Sequence, residues 1–275
     1  MMAVIHLSQY QLIEIAGVDA EKYLQGQVTA DVTKLAIGAS TLTAHCDPKG
    51  KMTGLFRLIR LSTEQFYMLV RSALLPTALD QLKKYAVFSK VTFTSVEANI
   101  VGMVDENSEI SAQVCVEFGN RKILINPESA VNISDDFARW DLADIQQGYP
   151  ILSDKTQGEF IPQALNLQAI EQAISFSKGC YIGQETVARA KYRGANKRAM
   201  FAFKAKTDFI PKIGSEIEMQ LESGWRQTGT ILSAVNFDGV LWLQVVLSNQ
   251  LEENQVFRLP ETQDNLEILP LPYEL

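Results

Sequence analysis

Past Asn196 the chain becomes a run of short alternating stretches, and this pattern restricts the available folds more than any other feature. RAMFAFKAK, SEIEMQ, QTGTILSAV, GVLWLQVVL and QVFRLP follow one another at close spacing, with Gly, Pro and Asn between them. Side chains on a strand point to alternate faces, so such stretches read as short strands, and short strands at this spacing pair in a small barrel or sandwich. A boundary is expected near Gly194 to Lys197, separating residues 1–195 from a C-terminal β-barrel over 196–275.

The first part of the chain mixes helices and strands. YQLIEIAG reads as a strand, and VDAEKYLQGQVTADV as a short helix that Asp19 caps and Gly26 ends. STLTAHC, the turn DPKG, KMTGLFRLIRLS and QFYMLVR have the look of antiparallel hairpins. LPTALDQLKKYAVF spaces Leu75, Leu79, Leu82 and Ala86 as a helix does, and SKVTFTSV returns to a strand. A second mixed section from about Ile100 to Gly194 holds the strand RKILIN and the helical DDFARWDLADIQQG. There is no strict βαβ alternation, which predicts α+β rather than a doubly wound parallel sheet.

At 275 residues and 47% hydrophobic the chain can bury a sizeable core. The N-terminal stretch lacks a basic n-region and an apolar h-region, and no apolar run is long enough to cross a bilayer, so a cytoplasmic protein without membrane contact is expected. Cys46, Cys115 and Cys180 are odd in number and far apart, which argues against a disulfide framework or a paired-cysteine metal site. The net charge of −7 argues against DNA binding by bulk electrostatics. Between Lys178 and Arg198, however, six bases face the single acid Glu185, a local +5 that leaves −12 on the remainder. Such a segment suits a small anion or one loop of RNA, or is a solvated helix face.

Several motifs fail on inspection. PKGKMT is not a P-loop, because His45 stands where the first glycine is needed and Met52 follows the lysine. With only His6 and His45, histidine-based hydrolysis or metal binding has no support, and His45 reads as a structural histidine whose strand neighbour Cys46 points to the other face. KGCYIGQETVARAKYRG is different. Cys180 lies between glycines, just before a helix that starts near Gln184, where free amides, Lys178 and Arg189 would favour a thiolate. The opposing reading is a loop cysteine packed under Tyr181. Glu185 is either an acid/base group or a favourable charge at the helix start.

KGCYIGQE resembles the Lys-Gly-Cys-Tyr-x-Gly-Gln-Glu signature of the YgfZ family of folate-binding proteins, relatives of the aminomethyltransferase (T-protein) of the glycine cleavage system. EKYLQGQVTADV, TAHCDPKGKM, LKKYAVFSKV, GEFIPQALNLQAIEQAISF, VARAKYRGANKRA and LPLPYEL extend the resemblance over almost the full chain. The resemblance implies two α+β units and a C-terminal β-barrel around a central channel that holds tetrahydrofolate or a one-carbon derivative. It places Trp140 at the folate. Tyr10 stands where close relatives carry a second tryptophan, and Gln163 lies in a region where the transferases read the ligand with polar side chains. Lys178 and Arg189 offer cations for the glutamate tail. The transferases also use a carboxylate in the stretch matching GKMTGLFRL, where this chain has Gly54, Leu55 and Phe56, so glycine-cleavage chemistry is not expected.

Members of the family are linked to maintenance of iron–sulfur proteins and, through them, to tRNA modification. The leading reading is therefore a folate-binding accessory protein whose partners are iron–sulfur assembly or client proteins, with Cys180 as the functional thiol. One cysteine cannot hold a cluster that takes about four thiolates, so a cluster role is transient, shared or indirect. A folate-dependent one-carbon transferase is the second reading. A direct tRNA-binding module, dependent on Arg189, Lys191 and Arg193, is the third.

Overall fold

The computed structural model describes residues 3–105, 109–128, 133–252 and 254–275. In chain order the elements are β1 (Ala3–His6), β2 (Tyr10–Ala16), α1 (Ala20–Gln25), β3 (Ser40–Cys46), β4 (Met52–Arg60), β5 (Gln65–Arg71), α2 (Leu75–Tyr85), β6 (Thr92–Val96), β7 (Ile100–Val104), β8 (Ala112–Phe118), β9 (Arg121–Pro127), α3 (Phe137–Gln146) and α4 (Gln184–Tyr192). The C-terminal strands are β10 (Arg198–Lys206), β11 (Ile217–Leu221), β12 (Gly224–Thr228), β13 (Thr230–Phe237), β14 (Val240–Ser248), β15 (Phe257–Arg258) and β16 (Asn265–Leu269). Helices and antiparallel strands are mixed without βαβ units, the expected α+β class.

A five-stranded sheet, ordered β3-β4-β5-β2-β6, separates two cores. Because strand side chains alternate, Ile13, Phe56, Leu58, Met68 and Val70 join one core with Leu24, Ala78 and Leu82 of the helices. Their neighbours Leu12, Ile59, Tyr67 and Leu69 join the other, with Ile5, Ile100, Ile123, Phe137 and Trp140. All nine residues of β4 are buried, which explains its near-continuous apolar reading. The second core is closed by a four-stranded sheet, β1-β7-β9-β8, and by α3. β1 and β7 were not legible as strands because their pairing is long-range: Ala3 lies opposite Val104 and Ile100 opposite Ile125.

The C-terminal strands form one sheet, β12-β11-β15-β16-β10-β14-β13. Its two edge strands are consecutive in sequence through Gly229, so the sheet curls back on itself. The closing hydrogen bonds, Gly214 N–H to Ile231 O and Ile231 N–H to Ser215 O, come from the turn before β11 rather than from a strand ladder. Gly229 has φ +70°, and a Cβ there would lie 2.4 Å from Leu247 Cδ2.

One local expectation needs correction. Asp19 stands at the capping position just before α1, but its carboxylate accepts the Lys90 amide at 2.7 Å instead of a helical N–H. The two loops approach so closely at Gly17 that a Cβ would lie 2.0 Å from the Lys90 carbonyl oxygen. His45 and Cys46 are both fully buried, since a β-bulge falls between them and both faces of β3 are covered. Burial holds the His45 imidazole down at about 4 against the field of Asp47, and its Nδ1 lies 2.6 Å from Thr53 Oγ1.

Candidate functional site

Arg57, Arg71 and Tyr10 project from one face of the five-stranded sheet. Arg57 stands opposite Leu69 and Tyr10 opposite Arg71, and i, i+2 spacing keeps Leu69 and Arg71 on the same side. Across from them, α3 presents Trp140 and Asp144. With Phe118, Tyr149 and the apolar Leu42, Leu55, Phe56 and Leu152, these residues line a small cavity of about 60 Å³ that opens to solvent. Trp140 is 1% exposed, and its Nε1–H donates to Tyr10 Oη at 3.3 Å. Gly102 of β7 makes room for the indole: a Cβ there would lie 2.6 Å from Trp140 Cε3 and Cζ3.

Three buried arginines surround these rings, each matched by a carboxylate. Arg71 Nη2 donates to Asp141 Oδ1 at 2.6 Å and to Asp144 Oδ2 at 2.8 Å, and Arg121 Nη1 donates to Asp144 Oδ1 at 2.5 Å. Arg57 makes a bidentate pair with Glu171, at 2.6 and 3.2 Å, and lies 3.9 Å above the Phe118 ring centroid. Arg121 stacks within 5.0 Å of the Phe118, Trp140 and Tyr149 centroids, and its Nη2 has no partner among the described residues. Burial pushes the Glu171 carboxyl up, but the Arg57 charge, with hydrogen bonds from Arg57, the Leu42 amide and Tyr149, brings it net below its ordinary value. Burial raises the Tyr10 and Asp141 pKa values despite Arg71.

These arginines escaped the sequence reading. A usable signal was there: a lone base inside an apolar run, as in GLFRLIRL, QFYMLVR and RKILIN, has to be paired when the strand is buried, and WDLAD places two carboxylates at i, i+3 on one helix.

The other expected site residues lie elsewhere. Gln163 is buried, and its Nε2 donates to the Val187 carbonyl at 2.6 Å, tying α4 down. Lys178 points inward, its Nζ donating to Val28 O and Ala30 O, both at 2.7 Å. Arg189 pairs with exposed Glu185 one helical turn away, at 2.6 Å. The cations expected to favour a Cys180 thiolate are thus engaged with other groups. Cys180 itself is exposed, not packed under Tyr181, and does not line the aromatic cavity. Its loop is joined to the DPKG turn through two glycines. Gly183 has φ +82°, and a Cβ there would lie 2.7 Å from Asp47 O and 2.8 Å from Cys46 Cβ; one on Gly50 would lie 2.6 Å from Thr186 Cβ.

Burial lowers the Lys178 amine to about 8, against the field of Asp31. A depressed folded-state pKa contributes stability that is fully present above the unfolded value of 10.5 and is lost as pH falls through about 8. Urea unfolding between pH 8 and 10.5 is expected to show a rise of about 3 kcal/mol from this group, and Lys178→Met is expected to lack that rise. Parallel profiles for the two proteins would refute the assignment.

The fold so defined is that of an aminomethyltransferase. Aminomethyltransferase T of the glycine cleavage system from Bartonella henselae superposes with a TM-score of 0.70, covering 99% of this chain and 86% of its own, at 14% identity, which establishes the fold alone. Residues 1–104 match the GCVT N-terminal domain and residues 196–263 the YgfZ beta-barrel domain. The tRNA-modifying protein YgfZ of Escherichia coli is 38% identical over all of this chain and 94% of its own length, and that of Photorhabdus laumondii is 40% identical over all of this chain and 93% of its own. An uncharacterized Haemophilus influenzae protein is 61% identical over 100% of this chain and 99% of its own. The chain therefore belongs to the YgfZ family.

Proposed function

We propose that this protein binds tetrahydrofolate or a one-carbon derivative in the cavity lined by Tyr10 and Trp140, and acts in the cytoplasm as an accessory factor for iron–sulfur proteins and hence tRNA modification. The observation that carries the folate reading is the cavity's composition. A pterin is flat, polar at its edge and joined to an anionic tail, and here aromatic faces, two lining arginines and one lining carboxylate converge on one space. Aromatic faces and guanidinium donors in one space are what such a group needs, so the residues present fit it. Bound folate supplies a carrier for a one-carbon unit. The protein's part is to stack the ring against Tyr10 and Trp140 and to face its polar edge and negative charge with the guanidinium groups of Arg71 and Arg57.

The cations for the ligand are thus proposed to be these arginines, with Lys178 and Arg189 outside the pocket. The tRNA part of the proposal is supported by the names of the relatives, and the exposure of Cys180 supports its reading as the functional thiol. Both Asp144 oxygens accept from guanidinium groups, so the lining carboxylate is committed to holding the arginines. Calorimetry with tetrahydrofolate tests the reading. Saturable binding is expected, weakened about tenfold by Trp140→Ala and unchanged by Cys180→Ala, with Trp140→Phe as the folding control. Absence of saturable binding to the parent protein would refute it.

A further inference from the structure

The proposed folate cavity leaves the basic stretch from Lys191 to Arg198 without a role. On the exposed side of α4 and the segment after it stand Lys191, Tyr192, Arg193, Lys197 and Arg198, all solvent-exposed. Arg189 has a carboxylate partner; among the described residues none of Lys191, Arg193, Lys197 and Arg198 has one within 4.0 Å. Unpaired cations gathered on a chain of net charge −7 oppose the field of the rest of the protein, so an anion is drawn to this face and repelled elsewhere.

Aromatic rings accompany the charges. Tyr192 is 67% exposed, and its ring meets Phe176 edge to face at 6.4 Å. Lys191 Nζ lies 3.9 Å above the Phe176 centroid. The Tyr192 hydroxyl reaches back to the Phe176 carbonyl at 3.5 Å, which holds the exposed ring in place. An exposed, positioned aromatic among unpaired cations is the combination that binds single-stranded nucleic acid: bases stack on the ring and cations take the phosphates.

We propose that this face binds a short single-stranded segment of RNA, with a base stacked on Tyr192 and phosphates held by Lys191, Arg193, Lys197 and Arg198. The acidic remainder of the surface limits the contact to a loop or end and disfavours a long duplex. An acidic protein partner would use the same cations but has no base to stack, which makes Tyr192 the deciding residue. The site shares no residue with the folate cavity, so it stands or falls separately from folate binding.

Fluorescence anisotropy with a short labelled oligouridine, over a salt series, tests this on the full chain. Binding is expected to be tighter than to a duplex of equal length. Tyr192→Ala is expected to weaken it about tenfold. Lys191→Gln and Arg193→Gln are each expected to reduce the slope of log affinity against log salt by roughly 0.7, the single-strand value per phosphate contact. These side chains are exposed, so thermal unfolding and folate binding of the variants should match the parent protein. No binding at low salt, equal affinity for the duplex, or an unchanged affinity in Tyr192→Ala would overturn the proposal. The last outcome, together with equal binding of polyglutamate, would mark the face as a contact for acidic proteins.

Discussion

Asp144→Ala is expected to cost about 3–5 kcal/mol of stability, the usual penalty for removing one partner of a buried ion pair. Among the described residues Asp144 is the only carboxylate that Arg121 reaches, at 2.5 Å, and it is one of two that neutralise Arg71. The Arg121 side chain is fully buried, so without Asp144 a guanidinium charge remains in a low-dielectric site with only Gln147 Oε1 and aromatic faces around it. For a chain of this size the loss corresponds to a fall of roughly 10 °C in the unfolding midpoint. Asp141→Ala should cost clearly less, because Arg71 keeps Asp144. Asp144→Asn preserves shape and one acceptor while removing the charge, and should fall between them. Scanning calorimetry of the three variants would sink this account if Asp141→Ala proved the most damaging.

Gly183→Ala has the second large effect, from backbone rather than charge. Its φ of +82° costs an L-residue about 1–2 kcal/mol, and the added methyl would meet Asp47 O and Cys46 Cβ at distances that real Cβ atoms do not occupy. Overpacking of this kind adds about 1–3 kcal/mol, for a total near 3 kcal/mol. The methyl would push the Cys180 loop off the DPKG turn. The variant is therefore expected to lose urea resistance and to show faster labelling of the normally buried Cys46 by a thiol reagent, whereas Gly179→Ala, with open space at its Cβ, should do neither. Equal behaviour of the two glycine variants would show that the turn and the loop do not support each other.

Much of this architecture is legible in the amino-acid order. Period-two alternation marks β2 to β5 and most of the C-terminal strands, and helical spacing marks α2, α3 and α4, because each pattern reflects which face of a local element is covered. The exposure of Cys180 follows as well from its small and polar neighbours. Two expectations failed in instructive ways. Asp19 was read as a helix cap, and the approach of a distant loop turned its carboxylate to Lys90. The cations of the cavity were sought in the dense basic stretch from Lys178 to Arg198, whereas Lys178 turned inward onto carbonyls and Arg189 onto Glu185.

Local pattern therefore determined most of the elements, the α+β class and the pairing of a reactive-looking loop with a helix start. Only the tertiary structure decided the cavity. Tyr10, Arg57, Arg71, Arg121, Trp140, Asp144 and Glu171 come from β2, β4, β5, β9, α3 and the loop after residue 170, and none is close to all the others in sequence. The physical reason is desolvation: a single arginine in an apolar strand is tolerable only when folding delivers a carboxylate from elsewhere, and which carboxylate arrives depends on strand register and helix packing rather than on neighbours in the chain.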